Sequence, residues 1–236
     1  MALAPQFATH RIGSPSAAHT LELYLDLICP FSQKQLKGVR DHIIPRIESG
    51  ELPLQIILRQ GERGRRSGGY QRTTANRFKY QIWRATVPQP CSSTLVHEAV
   101  LGFSRVLVES GKSSYSDPEV GDKFRKFFFA LMDGQKAYYD EPCSKETPNA
   151  TRDRLADLAV QLGVDREAFR DAISVGEGNS GTPVTANLKL AIRFARLQGV
   201  HVTPTVALDG IIDPSISSRF TAQDWQKWLE EEVLSS

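Results

Sequence analysis

The chain has 236 residues, of which 40% are apolar and 24% charged, with a formal net charge of +2; this is the balance of a soluble protein with one large core or two small ones. No stretch approaches the roughly 20 apolar residues of a membrane-spanning helix, so no membrane partner is expected. Three cysteines, Cys29, Cys91 and Cys143, are an odd number without metal-like spacing, which fits free thiols in a reducing compartment better than a disulfide framework.

Residues 1–18 are read as an N-terminal segment. Met1 to His19 contains Pro5, Gln6, His10, Arg11, Ser14 and Pro15 and no 7-residue apolar core, so no secretory leader is expected and the setting is expected to be cytoplasmic. The run Thr20 to Leu27 alternates apolar and polar residues in its first half, as a half-buried strand does. A helix follows over about Gln33 to Ser49, with Leu36, Val39, Ile43 and Ile44 on one face, and Pro45 predicts a kink or an end near it. After Gly50, Leu52 to Leu58 reads as a second strand.

Residues 60–91 form a basic segment of low predicted structure. Between Arg59 and Arg84 stand eight Lys or Arg residues and one acid, Glu62, while the rest of the chain carries 21 basic and 26 acidic residues. The basic character is therefore local. Gly61, Gly64, Gly68 and Gly69 break regular structure, and the connection is far longer than the usual 4 to 6 residues. A surface insertion is the expected reading. A nucleic-acid arm with Tyr70, Phe78, Tyr80 and Trp83 as stacking residues is the alternative, as is a translated intron; nucleic acid is not the expected partner.

From residue 92 to 198 the periodicity is helical, over Thr94 to Glu109, Glu119 to Met132, Thr151 to Leu162, Asp165 to Ile173 and Pro183 to Leu197. A strand at Thr205 to Leu208, a turn at Asp209-Gly210 and a short strand at Ile211-Ile212 follow. In the last helix Thr221 and Asp224 can cap reciprocally, and Trp225, Trp228, Leu229 and Leu234 fall largely on one face.

Chemistry is concentrated at Asp26-Leu27-Ile28-Cys29-Pro30-Phe31-Ser32, where the first strand gives way to the first helix. Unpaired N–H groups and the positive end of the helix dipole favour a thiolate there, and Pro30 suits the first turn because it has no N–H to lose. Cys29 could instead be a buried cysteine at a strand end. Cys91 and Cys143 read as unreactive surface thiols or as distant resolving partners for Cys29. His10, His19, His42 and His97 share no ligand spacing, so no metal site is inferred, and a packing or surface role is expected for His201. Phe127 to Phe129, with Tyr138 and Tyr139, are expected to pack helices, although the two tyrosines could line a substrate groove.

Cys29-Pro30-Phe31-Ser32 resembles the Cys-Pro-x-Cys site of the DsbA-like branch of the thioredoxin superfamily with the second cysteine replaced. Gly199 to Gly210, with Thr203-Pro204 at its centre, is similar to the cis-proline loop of that family and the strand after it. The resemblance implies an α/β thioredoxin-like fold, with its domain at residues 19–59 and 199–236 and a helical insertion subdomain at 92–198 between the second strand and the cis-proline loop. It implies Cys29 and Ser32 as catalytic residues, and Pro30, Phe31, Thr203 and Pro204 as substrate-binding residues. Ser32 cannot resolve a mixed disulfide, but its hydroxyl or backbone N–H could donate to the Cys29 sulfur. The Thr203 backbone would pair with an extended peptide or with the cysteinyl part of glutathione.

Three functional readings remain open. The first is a monothiol, glutathione-coupled thiol-disulfide oxidoreductase with glutathione or client protein thiols as partners and no cofactor beyond glutathione as co-substrate. The second is a glutathione-dependent transferase or isomerase of the kappa-class type, against which a cysteine in the usual serine position argues. The third is a non-catalytic binding protein using the cis-proline groove, or an iron–sulfur carrier holding its cluster with Cys29 and glutathione.

Overall fold

The structure, a computed structural model, describes residues 3–61 and 92–235. Apart from Gln60 and Gly61, the basic segment with its four aromatic residues lies outside the described residues, as does Cys91. A mixed five-stranded sheet in the order β1-β3-β2-β4-β5 carries the site. Its strands are β1 (Arg11–Ile12), β2 (His19–Leu25), β3 (Leu54–Gln60), β4 (Thr205–Leu208) and β5 (Ile211–Ile212). β2 runs parallel to β3, while β1 is antiparallel to β3, and β4 is antiparallel to both β2 and β5.

A βαβ unit opens the sheet: α1 (Pro30–His42) and α2 (Ile44–Glu48) connect β2 to β3. The break at Ile43 falls just before Pro45, where the sequence predicts it, because a proline fits a first helical turn but not a helix interior. After β3 come α3 (Ser92–Gly111), α4 (Pro118–Asp133), a 3-10 turn at Gln135–Tyr138, the short α5 (Asp140–Cys143), α6 (Pro148–Val160), α7 (Arg166–Ile173) and α8 (Thr185–Leu197); β4, β5 and α9 (Ala222–Glu232) complete the chain. Asp209 and Gly210 both take positive φ, 50° and 85°, as a two-residue antiparallel hairpin requires. Thr221 and Asp224 form the expected capping box of α9.

The N-terminal segment is part of this architecture. Pro5–His10 forms a 3-10 turn, and Arg11 and Ile12 pair with Ile57 and Ile56, adding an edge strand that alternation over two residues could not announce.

The central strand differs from the half-buried strand expected. Leu21, Leu23 and Leu25 enter the main core, but the opposite face is buried too: Tyr24 packs with Ala195, Val200 and Ala207, and Glu22 is 1% exposed. Glu22 is held there by an ion pair with Arg59 of β3 and by the Tyr24 hydroxyl at 2.8 Å, while the Arg59 guanidinium lies 4.5 Å from the centre of the Phe194 ring of α8. A polar residue in an alternating strand thus faces a covered sheet, with its charge paired as burial demands.

On the other face, α1 packs against α9 through Gly38. A Cβ at Gly38 would stand 2.7 Å from Nε1 of Trp225, which is 1% exposed and boxed in by Phe220 and Trp228. Gly38→Ala is expected to destabilise the protein, because overpacking a rigid core costs about 1–3 kcal/mol, more than the ~1 kcal/mol that alanine gains over glycine in a helix. Denaturant unfolding measures it; an unchanged or higher midpoint would mean that Trp225 swings aside.

Candidate active site

Cys29 is the N-cap of α1, in extended backbone (φ −87°, ψ 120°) with Pro30 as the first helical residue. This is the helix-start placement the sequence predicts. The turn before it is closed by a bond from the Cys29 N–H to the Asp26 carbonyl at 3.0 Å, and the helix begins with Gln33 N–H donating to the Cys29 carbonyl at 3.1 Å.

The Thr203–Pro204 peptide is cis, and the chain brings it against the thiol: Cys29 Sγ lies 3.5 Å from the Thr203 carbonyl oxygen, 174 residues away in sequence. Of the site residues expected from the sequence, Cys29, Ser32, Thr203 and Pro204 therefore gather where α1 begins beside β4. Phe31 is 47% exposed and Val202 is 66% exposed, so an exposed apolar side chain follows Pro30 and another precedes Thr203 in the chain. Gly61 stands behind the loop, with a Cβ there coming within 2.8 Å of the Thr203 methyl group.

Ser32 is fully buried, and its Oγ accepts a hydrogen bond from the Asp26 N–H at 3.2 Å. The hydroxyl oxygen is thus a partner of the strand end that precedes Cys29.

Two side-chain groups that the sequence did not single out complete the surroundings. Gln135, wholly buried in the 3-10 turn, donates to the Leu27 carbonyl at 3.3 Å and to the Cys29 carbonyl at 3.5 Å, and accepts at 2.6 Å from the Tyr139 hydroxyl. Burial, with the charge of the nearby Cys29 sulfur as the second cause, pushes the Tyr139 phenol up. Tyr139 therefore belongs to the site, whereas Tyr138 packs beneath the Arg154 guanidinium, 4.8 Å from its ring centre.

The second group is Asp26, 1% exposed, whose Oδ1 accepts from the Ile28 N–H at 3.1 Å and from the Ser93 hydroxyl at 3.0 Å and faces His97 Nε2 at 3.6 Å. Burial alone would push this carboxyl up. The contact with His97 and the donors from Ile28 and Ser93 outweigh it and hold Asp26 below the usual carboxylate range. Only the aspartate could have been found from sequence, as an acid in an apolar strand end three residues before the cysteine.

The remaining candidates lie apart. Cys143 touches the Ala137 carbonyl at 3.8 Å and Arg154 at 3.6 Å, and burial pushes its thiol up. His201 is exposed. Phe127 and Phe128 are core residues, with Phe127 stacked on Phe103 at 4.2 Å. Among the described residues no group of His, Cys, Asp and Glu could hold a metal ion, and no helix is long and apolar enough to cross a membrane.

No protein-family model and no curated protein matches the chain. Solved structures do. A Pseudomonas syringae protein assigned as a protein-disulfide isomerase superposes with a TM-score of 0.58 at 18% identity, over 93% of this chain and 96% of its own. MdbA, a thiol-disulfide oxidoreductase from Corynebacterium diphtheriae, gives 0.54 at 16% identity, over 93% of this chain and 89% of its own. BdbD from Bacillus subtilis gives 0.54 at 14% identity, over 95% and 92% respectively. With its parallel β2–β3 pair, antiparallel β4 and a cis proline opposite a helix-capping cysteine, the chain has a thioredoxin-like α/β fold similar to that of these structures.

Proposed function

We propose that the protein is a monothiol, glutathione-coupled thiol-disulfide oxidoreductase with Cys29 as its nucleophile. The observation that carries the reading is the placement of Cys29 Sγ at the start of α1 and 3.5 Å from the carbonyl beside the cis proline. MdbA, named as a thiol-disulfide oxidoreductase, shares this fold and supports the reaction class. In the proposed cycle the Cys29 thiolate attacks the glutathione sulfur of a glutathionylated client, forming a Cys29–glutathione disulfide and releasing the client thiolate. A second glutathione thiolate then attacks that disulfide, giving oxidised glutathione and restoring the Cys29 thiolate. No neighbouring thiol is required for either step, consistent with serine at position 32. The exposed Phe31 and Val202 would face the apolar parts of the client or of the tripeptide.

The test uses a glutathionylated peptide and intact-mass analysis of the full chain. Wild type is expected to acquire one glutathione at Cys29 and to lose it when reduced glutathione is added, and Cys29→Ser to acquire none there. Modification of Cys143 alone, or none, would sink the proposal.

The burial of Cys29, 1% exposed, favours a second reading in which the groove beside Pro204 binds an extended segment without exchange. Peptide binding that survives Cys29→Ser, with no exchange by wild type, would select it. Conjugation or isomerisation of a glutathione-dependent substrate would select the transferase reading instead.

A further inference from the structure

Asp26 makes contacts on both sides of Cys29. Its side chain takes the Ile28 N–H at 3.1 Å, its carbonyl takes the Cys29 N–H at 3.0 Å, and its own N–H goes to Ser32 Oγ at 3.2 Å. Three groups of the nucleophile's turn, spaced from residue 28 to residue 32, are thus fixed to one residue. The same carboxylate oxygen receives the Ser93 hydroxyl at 3.0 Å and faces His97 Nε2 at 3.6 Å. Ser93 and His97 are one helical turn apart on α3, so they share a face of that helix. His97 is itself 1% exposed, and its carbonyl is held by the Gln60 amide of β3 at 2.9 Å.

We propose that Asp26 is a positioning residue for Cys29, and that Ser93 and His97 on α3 hold it in that role, so that α3 sets the geometry of the attacking thiol. A buried carboxylate with several donors has one stable placement, since any rotation leaves donors unpaired in a dry site. The turn it organises inherits that rigidity. The Cys29 N–H and the Ser32 hydroxyl are kept in register with the helix start, and the sulfur is kept against the Thr203 carbonyl. Attack on a disulfide needs the sulfur aligned with the bond it breaks, and a misplacement of about 1 Å can cost up to a hundredfold in rate. The inference rests on the reading of Cys29 as the attacking thiol.

The experiment follows mixed-disulfide formation with a small aromatic disulfide, 4,4′-dithiodipyridine, in the full chain carrying Cys91→Ser and Cys143→Ser. Asp26→Ala is expected to slow it about tenfold or more at an unchanged far-UV circular dichroism spectrum. Asp26→Asn, which keeps an acceptor oxygen for Ile28 and Ser93, is expected to recover most of the loss. That recovery separates positioning through hydrogen bonds from an effect of charge. A rate for Asp26→Ala equal to or above the parent, or Asp26→Asn as slow as Asp26→Ala, would overturn the proposal. If Asp26→Ala does not fold, Ser93→Ala combined with His97→Gln reads the same coupling through the partners: a severalfold slower rate supports it and an unchanged rate overturns it. Failure of the functional reading looks different, because the parent would then react with the aromatic disulfide but not exchange glutathione.

Discussion

Acidification from pH 6.5 to about 4 is expected to remove stability on the order of 3 kcal/mol through His10 alone. His10 is 2% exposed, its ring stacks on Phe124 at 4.5 Å, and its Nδ1 bonds the Leu58 carbonyl at 2.8 Å, while Nε2 is buried with no hydrogen-bond partner among the described residues. Burial pushes its pKa down from 6.5 to about 4, with the Arg59 charge adding and the Leu58 bond opposing. The folded-state value is the depressed one. Between the two values the unfolded chain binds a proton that the folded chain refuses, so the stabilisation is complete above pH 6.5 and is lost as pH falls toward 4. Denaturant unfolding at pH 7 and pH 4.5, for wild type and His10→Phe, isolates the residue. The variant loses the bond to Leu58 and should be less stable at pH 7, but its pH dependence should be flatter by most of that amount. Parallel curves would mean that His10 takes up its proton in the fold. Asp26, held low, contributes in a more acidic window: its stabilisation is present above the ordinary carboxylate value and lost as pH falls through the folded one.

This sensitivity was not readable from the sequence, and the reason is general to the chain. What depends on neighbours close in sequence was legible: the cysteine at a helix start, the break before Pro45, the Thr221–Asp224 box and the Asp209-Gly210 hairpin each follow from a few adjacent residues. The pairing of Cys29 with the Thr203 carbonyl was legible only through the resemblance of two motifs. Other contacts between distant residues were not legible. Glu22 reads as a solvent-facing position until Arg59, 37 residues on, closes an ion pair over it beneath α8. Gln135 sits in a 3-10 turn too short to show a period, and its worth lies in reaching the Cys29 carbonyl 106 residues back. His97, one of four histidines without ligand spacing, proves to face a carboxylate in the turn that carries Cys29. Alternation also misled at β2, since a strand covered on both faces can still carry polar residues when each has a partner.

Ser32→Cys is expected to give the proposed monothiol site dithiol chemistry. Cys29 caps α1 and Ser32 is its third helical residue, so their Cα atoms lie one turn apart, within the ~7 Å that a disulfide tolerates. The new thiol starts with a disadvantage, because the buried Oγ it replaces accepts the Asp26 N–H at 3.2 Å, and sulfur is a poor acceptor for that bond. The variant should therefore be less stable when reduced by about 1 kcal/mol. Oxidation should reverse the balance, since turning toward Cys29 makes a covalent bond in place of a weak hydrogen bond. Wild type is expected to hold its glutathione adduct until an external thiol arrives, whereas the variant should expel glutathione by attack of the introduced thiolate on the Cys29 sulfur, leaving an intramolecular disulfide. Intact mass in a background with Cys91→Ser and Cys143→Ser reads this as the loss of two hydrogens without a bound glutathione. A variant that keeps the adduct would show that position 32 is locked toward Asp26 and serves the turn alone, and the serine would then be a strut for the nucleophile, with no part in resolving it.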